Sequence, residues 1–164
     1  MNLRLKTALW LERWRRQNLK QLHPLQQLFW ESTLRCNVHC LHCGSDCIAS
    51  VETPDMPAED FLKVIDEEVT PHVNPREVMI IVSGGEPLML AQVGRALKER
   101  GYPWGMVTNG LALTEKRFRE LREAGLRSIT VSCDGLEEDH IWMRQHPLAF
   151  EGATRAIRLC AAEK

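Results

Sequence analysis

The sequence predicts an α/β protein, a parallel sheet with helices outside, built from about four βα units after an N-terminal helix. Two observations carry that expectation. Short apolar stretches alternate with amphipathic ones, and strand–helix alternation at this pace gives a parallel sheet through right-handed crossovers. Val78-Met79-Ile80-Ile81-Val82 is an unbroken apolar run, the pattern of a strand covered on both faces. An eight-unit barrel takes ~250 residues, so four units make half of one.

Residues 2–22 read as a basic helix, with Leu3, Trp10 and Trp14 near one stripe among Arg4, Lys6, Arg13, Arg15, Arg16 and Lys20. Packing across the outside of the domain is the simpler expectation. Trp with Lys and Arg also suits a membrane surface or a docking partner. His23-Pro24 ends this helix, so residues 1–27 form a segment distinct from a core over 28–164.

The first strand is Leu28 to Leu34, running into a Cys-rich loop and a Gly/Ser/Pro-containing connection over 44–57. Pro57 opens a helix with Phe61, Leu62, Ile65 and Val69 on its apolar face. The second strand is Val78–Val82, followed by a helix from about Leu88 to Arg100 and Gly101. Trp104 to Val107 is the third strand; Thr114 caps the next helix, with Phe118 and Leu121 inward and Gly125 as its stop. Ile129 to Ser132 is the fourth strand, and Phe150, Ala153, Ile157 and Cys160 mark the inner face of a last helix. Such a sheet leaves the fourth strand as an uncharged open edge.

Composition excludes several classes. A net charge of −1 offers no footprint for nucleic acid. Six Cys, at 36, 40, 43, 47, 133 and 160, are clustered rather than spread, and no signal peptide precedes them. No apolar stretch approaches the ~20 residues of a membrane span. A reducing cytoplasm is the expected compartment.

Each informative motif falls where a predicted strand ends, the edge at which parallel α/β folds build sites. Cys36, Cys40 and Cys43 give the spacing C-x3-C-x2-C, three thiols within eight residues. Closed ferredoxin and structural zinc sites take four protein ligands. A cluster on three Cys leaves one iron open, as a catalytic centre requires. Ser83-Gly84-Gly85-Glu86-Pro87 ends the second strand, with glycines that let the backbone approach closely and Pro87 holding Glu86 extended. Thr108-Asn109-Gly110 ends the third, and Ser132-Cys133-Asp134-Gly135 the fourth. By strand alternation Ser132 and Asp134 share a face, and Cys133 points into the core. Two other classes stay open. His39 and His42 beside the thiols suit zinc in a binding module, and Cys47 as a fourth ligand suits an electron-transfer protein.

The Cys triad and the GGEP sequence together resemble the radical S-adenosylmethionine (SAM) enzymes, over residues 28 to 164. The resemblance implies a six-unit partial barrel, of which about two units are missing here, so the chain is expected to be a fragment or a truncated gene product. It implies a [4Fe–4S] cluster on Cys36, Cys40 and Cys43, and SAM on the open iron. It implies that Gly84 and Gly85 border SAM and that Glu86 takes hydrogen bonds from its methionine ammonium. Asn109 would line the site, and Ser132 and Asp134 would reach the ribose hydroxyls. His42 stands where the family places an aromatic and would lie against adenine. The reaction implied is reductive cleavage of SAM to a 5′-deoxyadenosyl radical that abstracts a substrate hydrogen, with flavodoxin or ferredoxin as electron donor. His140 and Arg144, followed by Phe150, Ala153 and Ile157, are similar to the SPASM-type branch, which implies a peptide or protein substrate; a solvated helix face is the simpler reading of that pair.

Overall fold

Four parallel strands lie side by side in the order β1-β2-β3-β4. They are β1, Gln27–Glu31; β2, Met79–Ser83; β3, Trp104–Thr108; and β4, Leu126–Val131. The structure is a computed structural model and describes residues 3–87 and 93–162, without the side chains of 19–22. The helices are α1, Leu3–Leu22; α2, Ala58–Val64; α3, Val93–Glu99; α4, Glu115–Glu123; α5, Glu137–Arg144; and α6, Ala149–Ala162. The expected start of the third helix at Leu88 lies outside the described residues. No described helix is long and apolar enough to cross a membrane.

β1 pairs with β2 in register from Gln27 opposite Met79 to Glu31 opposite Ser83. All three pairings are parallel, so the carboxyl ends of the four strands share one edge. Ile80, Ile81 and Val82 are buried, as an unbroken apolar strand inside a helix-covered sheet should be. Trp30 on β1 stacks on Phe61 of α2, with ring centroids 4.0 Å apart and 3° between the planes. That contact seats the first crossover helix on the sheet. α2 continues through a π-helical turn, Ile65–Val69, closed where the Thr70 hydroxyl donates to the Ile65 carbonyl at 2.8 Å. Ile65 is fully enclosed there. Thr114 caps α4 as its sequence position suggests, accepting from Arg117 N–H at 3.2 Å.

Several elements depart from the pattern. The stripe on α1 is not packed: Trp10 and Trp14 are 63 % and 56 % exposed, and Leu3, Leu9 and Leu11 are exposed with them. Its apolar residues are spread around the helix with the basic ones, so there is no continuous face to bury. β4 begins at Leu126, and its edge carries Arg127 and Ser128 before Ile129. It also ends at Val131, one residue early. Strand alternation therefore no longer governs Cys133, which is exposed and not a core thiol. On α6 the inner face is Ala149, Gly152, Ala153 and Ala156, whereas Ile157 is 41 % exposed. The reason is steric. α6 presses on the turn after β3, where a Cβ on Gly152 would stand 2.7 Å from Leu111 Cα. Only the small side of the helix fits.

A second close approach fixes α3 on the sheet. A Cβ on Gly94 would overlap the six-membered ring of Trp104, which is itself buried and held by its indole N–H donating to the Ala124 carbonyl at 3.1 Å. Gly94→Ala gains helix propensity but forces that ring to move. It should lower unfolding free energy by about 1–2 kcal/mol in urea titration, with an unchanged m-value. An equal or higher midpoint would show that α3 slides without cost.

Candidate functional site

The site is built by pressing two strand-end turns together. Beyond β1 the chain runs through Ser32 and Thr33, both buried, into the Cys loop. The turn after β2 lies against it: Gly85 N–H donates to the Thr33 carbonyl at 2.6 Å, and Glu86 N–H to the Arg35 carbonyl at 3.0 Å. Gly84 has φ +118°, and a Cβ on either glycine would clash with the carbonyl oxygen of Thr33 or Arg35. The glycines thus serve contact with the Cys loop's own backbone, and both also line the cavity in front of it. On its other side the loop is tied by Cys36 N–H donating to the Ile48 carbonyl at 3.0 Å and by the Arg35–Asp55 ion pair.

That cavity measures about 120 Å³ and is lined by Cys36, Cys40, Cys43, His42, Asn109 and Ser132 among others. Eight of the ten expected site residues therefore converge there, Gly84 and Gly85 among them. Glu86 and Asp134 sit differently. Glu86 is 0 % exposed, and its carboxyl accepts from the Thr108 hydroxyl at 2.8 Å and from Asn109 N–H at 2.9 Å. It ties the end of β2 to the end of β3 behind the cavity wall. Asp134 is gripped by the fork of Arg144, with Nε and Nη2 at 2.5 and 3.0 Å from its two oxygens. His42, 47 % exposed, stands at the cavity's rim with Nε2 3.8 Å from Asp134. His39 is exposed.

Each of the three sulfurs faces an N–H group. Asn109 Nδ2 is 3.7 Å from Cys36 Sγ and also donates to Asn37 Oδ1 at 2.7 Å. Arg144 Nη1 is 3.4 Å from Cys40 Sγ. Cys47 N–H is 3.3 Å from Cys43 Sγ. Burial pushes the Cys43 thiol up, but the N–H groups of Cys47 and Ser45 outweigh it and the net direction is down. Cys47 itself is buried and pushed up to about 12, by burial and by the neighbouring Cys43 sulfur. Burial also raises Cys36. Among the described residues no three His, Cys, Asp or Glu side chains close on one point as a single metal ion requires. The thiols line a wall instead, with donors turned toward sulfur. That donor set fits a multi-iron cluster, whose sulfurs accept such bonds.

The pair His140 and Arg144 is not a solvated face. His140 is 1 % exposed, with Nδ1 accepting from Asp134 N–H at 3.2 Å, and the Arg144 side chain is 12 % exposed. Spacing four apart is as compatible with burial as with solvent, so this choice was open until the fold was known. Thr108 and Asn37 carried no signal of their own; both act through neighbours.

A helix-flanked parallel sheet with clustered thiols at the carboxyl ends of its strands defines an α/β protein with a cofactor site in its strand-end loops. The chain belongs to the Radical SAM superfamily, whose model matches residues 30–164. The superfamily uses a [4Fe–4S] cluster together with SAM. An AdoMet-dependent heme synthase of Methanosarcina barkeri is 34 % identical over 134 residues, 79 % of this chain and 37 % of that protein. A tungsten-containing aldehyde ferredoxin oxidoreductase cofactor-modifying protein of Pyrococcus furiosus is 34 % identical over 68 % of this chain and 32 % of its own length. Among solved structures, native anSMEcpe with bound AdoMet superimposes with TM-score 0.64 at 20 % identity, over 85 % of this chain and 42 % of that one. Streptococcus suis SuiB bound to S-adenosylmethionine gives TM-score 0.61 at 17 % identity, over 97 % and 36 %. The chain spans about a third of the length of the curated relatives it matches.

The tie through Glu86 has a measurable weight. Glu86→Ala leaves two buried donors without this acceptor and should cost roughly 2–4 kcal/mol of unfolding free energy. Glu86→Gln should cost less, since an amide oxygen still accepts one of them. Equal stability of Glu86→Ala and wild type in denaturant titration would remove the tie from the account.

Proposed function

We propose that this chain is the cofactor-binding part of a radical SAM enzyme, with Cys36, Cys40 and Cys43 holding the cluster. The observation that supports it best is the shared cavity in which each of those sulfurs faces an N–H donor. Cys47 stays outside the ligand set: the C-x3-C-x2-C spacing closes at Cys43, and the Cys47 N–H points at the Cys43 sulfur. Three protein ligands would leave one iron open to SAM.

The chemistry that the cluster and SAM supply when bound is one-electron cleavage of the sulfonium C–S bond and hydrogen abstraction from a substrate. This chain's residues bind and orient. Gly84 and Gly85 keep the cavity wall flat beside the Cys loop. Glu86 fixes Asn109, whose amide spans Asn37 and Cys36, and its carboxylate is the acceptor for the methionine ammonium of SAM. Ser132 and His42 both line the cavity, and they are the residues for the ribose hydroxyls and the adenine respectively. Flavodoxin or ferredoxin supplies the electron. For the substrate, a peptide or protein is the reading that the resemblance to the SPASM-type branch supports. A tetrapyrrole is the second reading, favoured by the heme synthases among the relatives.

The experiment is anaerobic reconstitution with iron and sulfide, counting both per chain. Cys36→Ala, Cys40→Ala and Cys43→Ala should each lose the cluster and its brown colour, and Cys47→Ala should keep them. SAM should then perturb the spectrum of the wild-type cluster. Full iron in Cys40→Ala would remove Cys40 from the ligand set, and a colourless wild type that takes up zinc alone would favour a zinc-stabilised module instead.

A further inference from the structure

We infer that Arg144 tunes the cluster through Cys40, donating a charge-assisted N–H to that sulfur from a guanidinium that Asp134 clamps in place. The inference rests on the reading that Cys40 is a cluster ligand, and it assigns Arg144 and Asp134 a role in setting the potential.

The geometry is that of one planar group with two engagements. Nε and Nη2 fork onto the two oxygens of Asp134 at 2.5 and 3.0 Å, which leaves Nη1 directed at Cys40 Sγ, 3.4 Å away. Such a fork is rigid, always charged and pre-organised, as an ammonium is not. Everything around it is fastened. The Cys loop is pinned to the last turn of α5 by Leu41 N–H donating to the Met143 carbonyl at 2.9 Å. Asp134 is held from below by its own N–H, which donates to Nδ1 of the enclosed His140. Gln145, with φ +53°, turns the chain away immediately after Arg144. The guanidinium is largely withdrawn from water, so its charge is weakly screened at the sulfur.

The three sulfurs are not equivalent in this respect. Cys36 faces a neutral amide and Cys43 a neutral backbone N–H; Cys40 faces a cation. Hydrogen bonds to cluster sulfurs are among the factors that set reduction potential. A reduced cluster carries one more negative charge than an oxidised one. A cation and its N–H therefore stabilise the reduced form more, and the potential rises. Removing them lowers it.

The test is an EPR-monitored redox titration of the reconstituted 164-residue chain, wild type against Arg144→Gln and Arg144→Lys, with iron and sulfide counted in each. Arg144→Gln should keep its iron and become harder to reduce. At the wild-type midpoint its reduced-to-oxidised ratio should fall about tenfold, a shift of about 59 mV for a one-electron couple. Arg144→Lys keeps the charge without the fork, so its midpoint should lie between the two; it carries the test if the Gln variant does not fold. Fully loaded variants that both titrate with the wild-type protein overturn the inference and leave the cluster assignment standing. A wild-type chain that takes up no iron ends both.

Discussion

The site depends on one contact: the Ser83–Pro87 turn lying flat on the backbone of residues 33 to 35. Two N–H groups, those of Gly85 and Glu86, bond carbonyls of the Cys loop, and they reach because neither preceding position carries a Cβ. The same turn hands the Glu86 carboxyl to Thr108 and Asn109. Three strand ends are thereby locked in one piece. Each further feature of the cavity, from the Asn109 amide to the face that Ser132 presents, inherits its position from that lock. Buried hydrogen bonds of this kind are modest in net stability but costly to leave half made, so the arrangement holds as a unit.

This gives the GGEP sequence a mechanical meaning beside its place at a ligand. The glycines stand at the cavity, yet the contacts that exclude a side chain from them come from Thr33 and Arg35. Glu86 is enclosed, and its carboxyl bonds Thr108 and Asn109. A motif at a functional site can have a second task beside touching what the site binds. It can be required because the loop that does the binding has no other seat.

Much of this was legible beforehand, for reasons that can be named. The apolar run through Val82 and the caps and stops at Thr114, Gly101 and Gly125 gave a parallel sheet of four units, because period and punctuation are local properties. The Cys spacing and the strand-end motifs located the cavity for the same reason. What the sequence left unread depends on tertiary contact. Cys133 lies past the end of β4, where alternation ceases to apply, and the inner face of α6 is chosen by the close approach of Leu111 rather than by the larger side chains. Trp10 and Trp14 look like a packing stripe, yet both are exposed among the described residues. Arg144 needed the fold most of all, since its partner sulfur is distant along the chain.

That distance has a consequence in time. Asn109 and Arg144 meet Cys36 and Cys40 across 73 and 104 residues. Only Cys43 finds its donor locally, four residues on. A ribosome adding ~5–20 residues per second needs roughly 5–20 s to make the stretch between Cys40 and Arg144. Through that interval the thiols have left the synthetic machinery without their neighbours from β3 and α5. During biogenesis the loop is thus a set of bare nucleophiles before it is a site, and the nascent chain must be kept reduced until its last helices arrive.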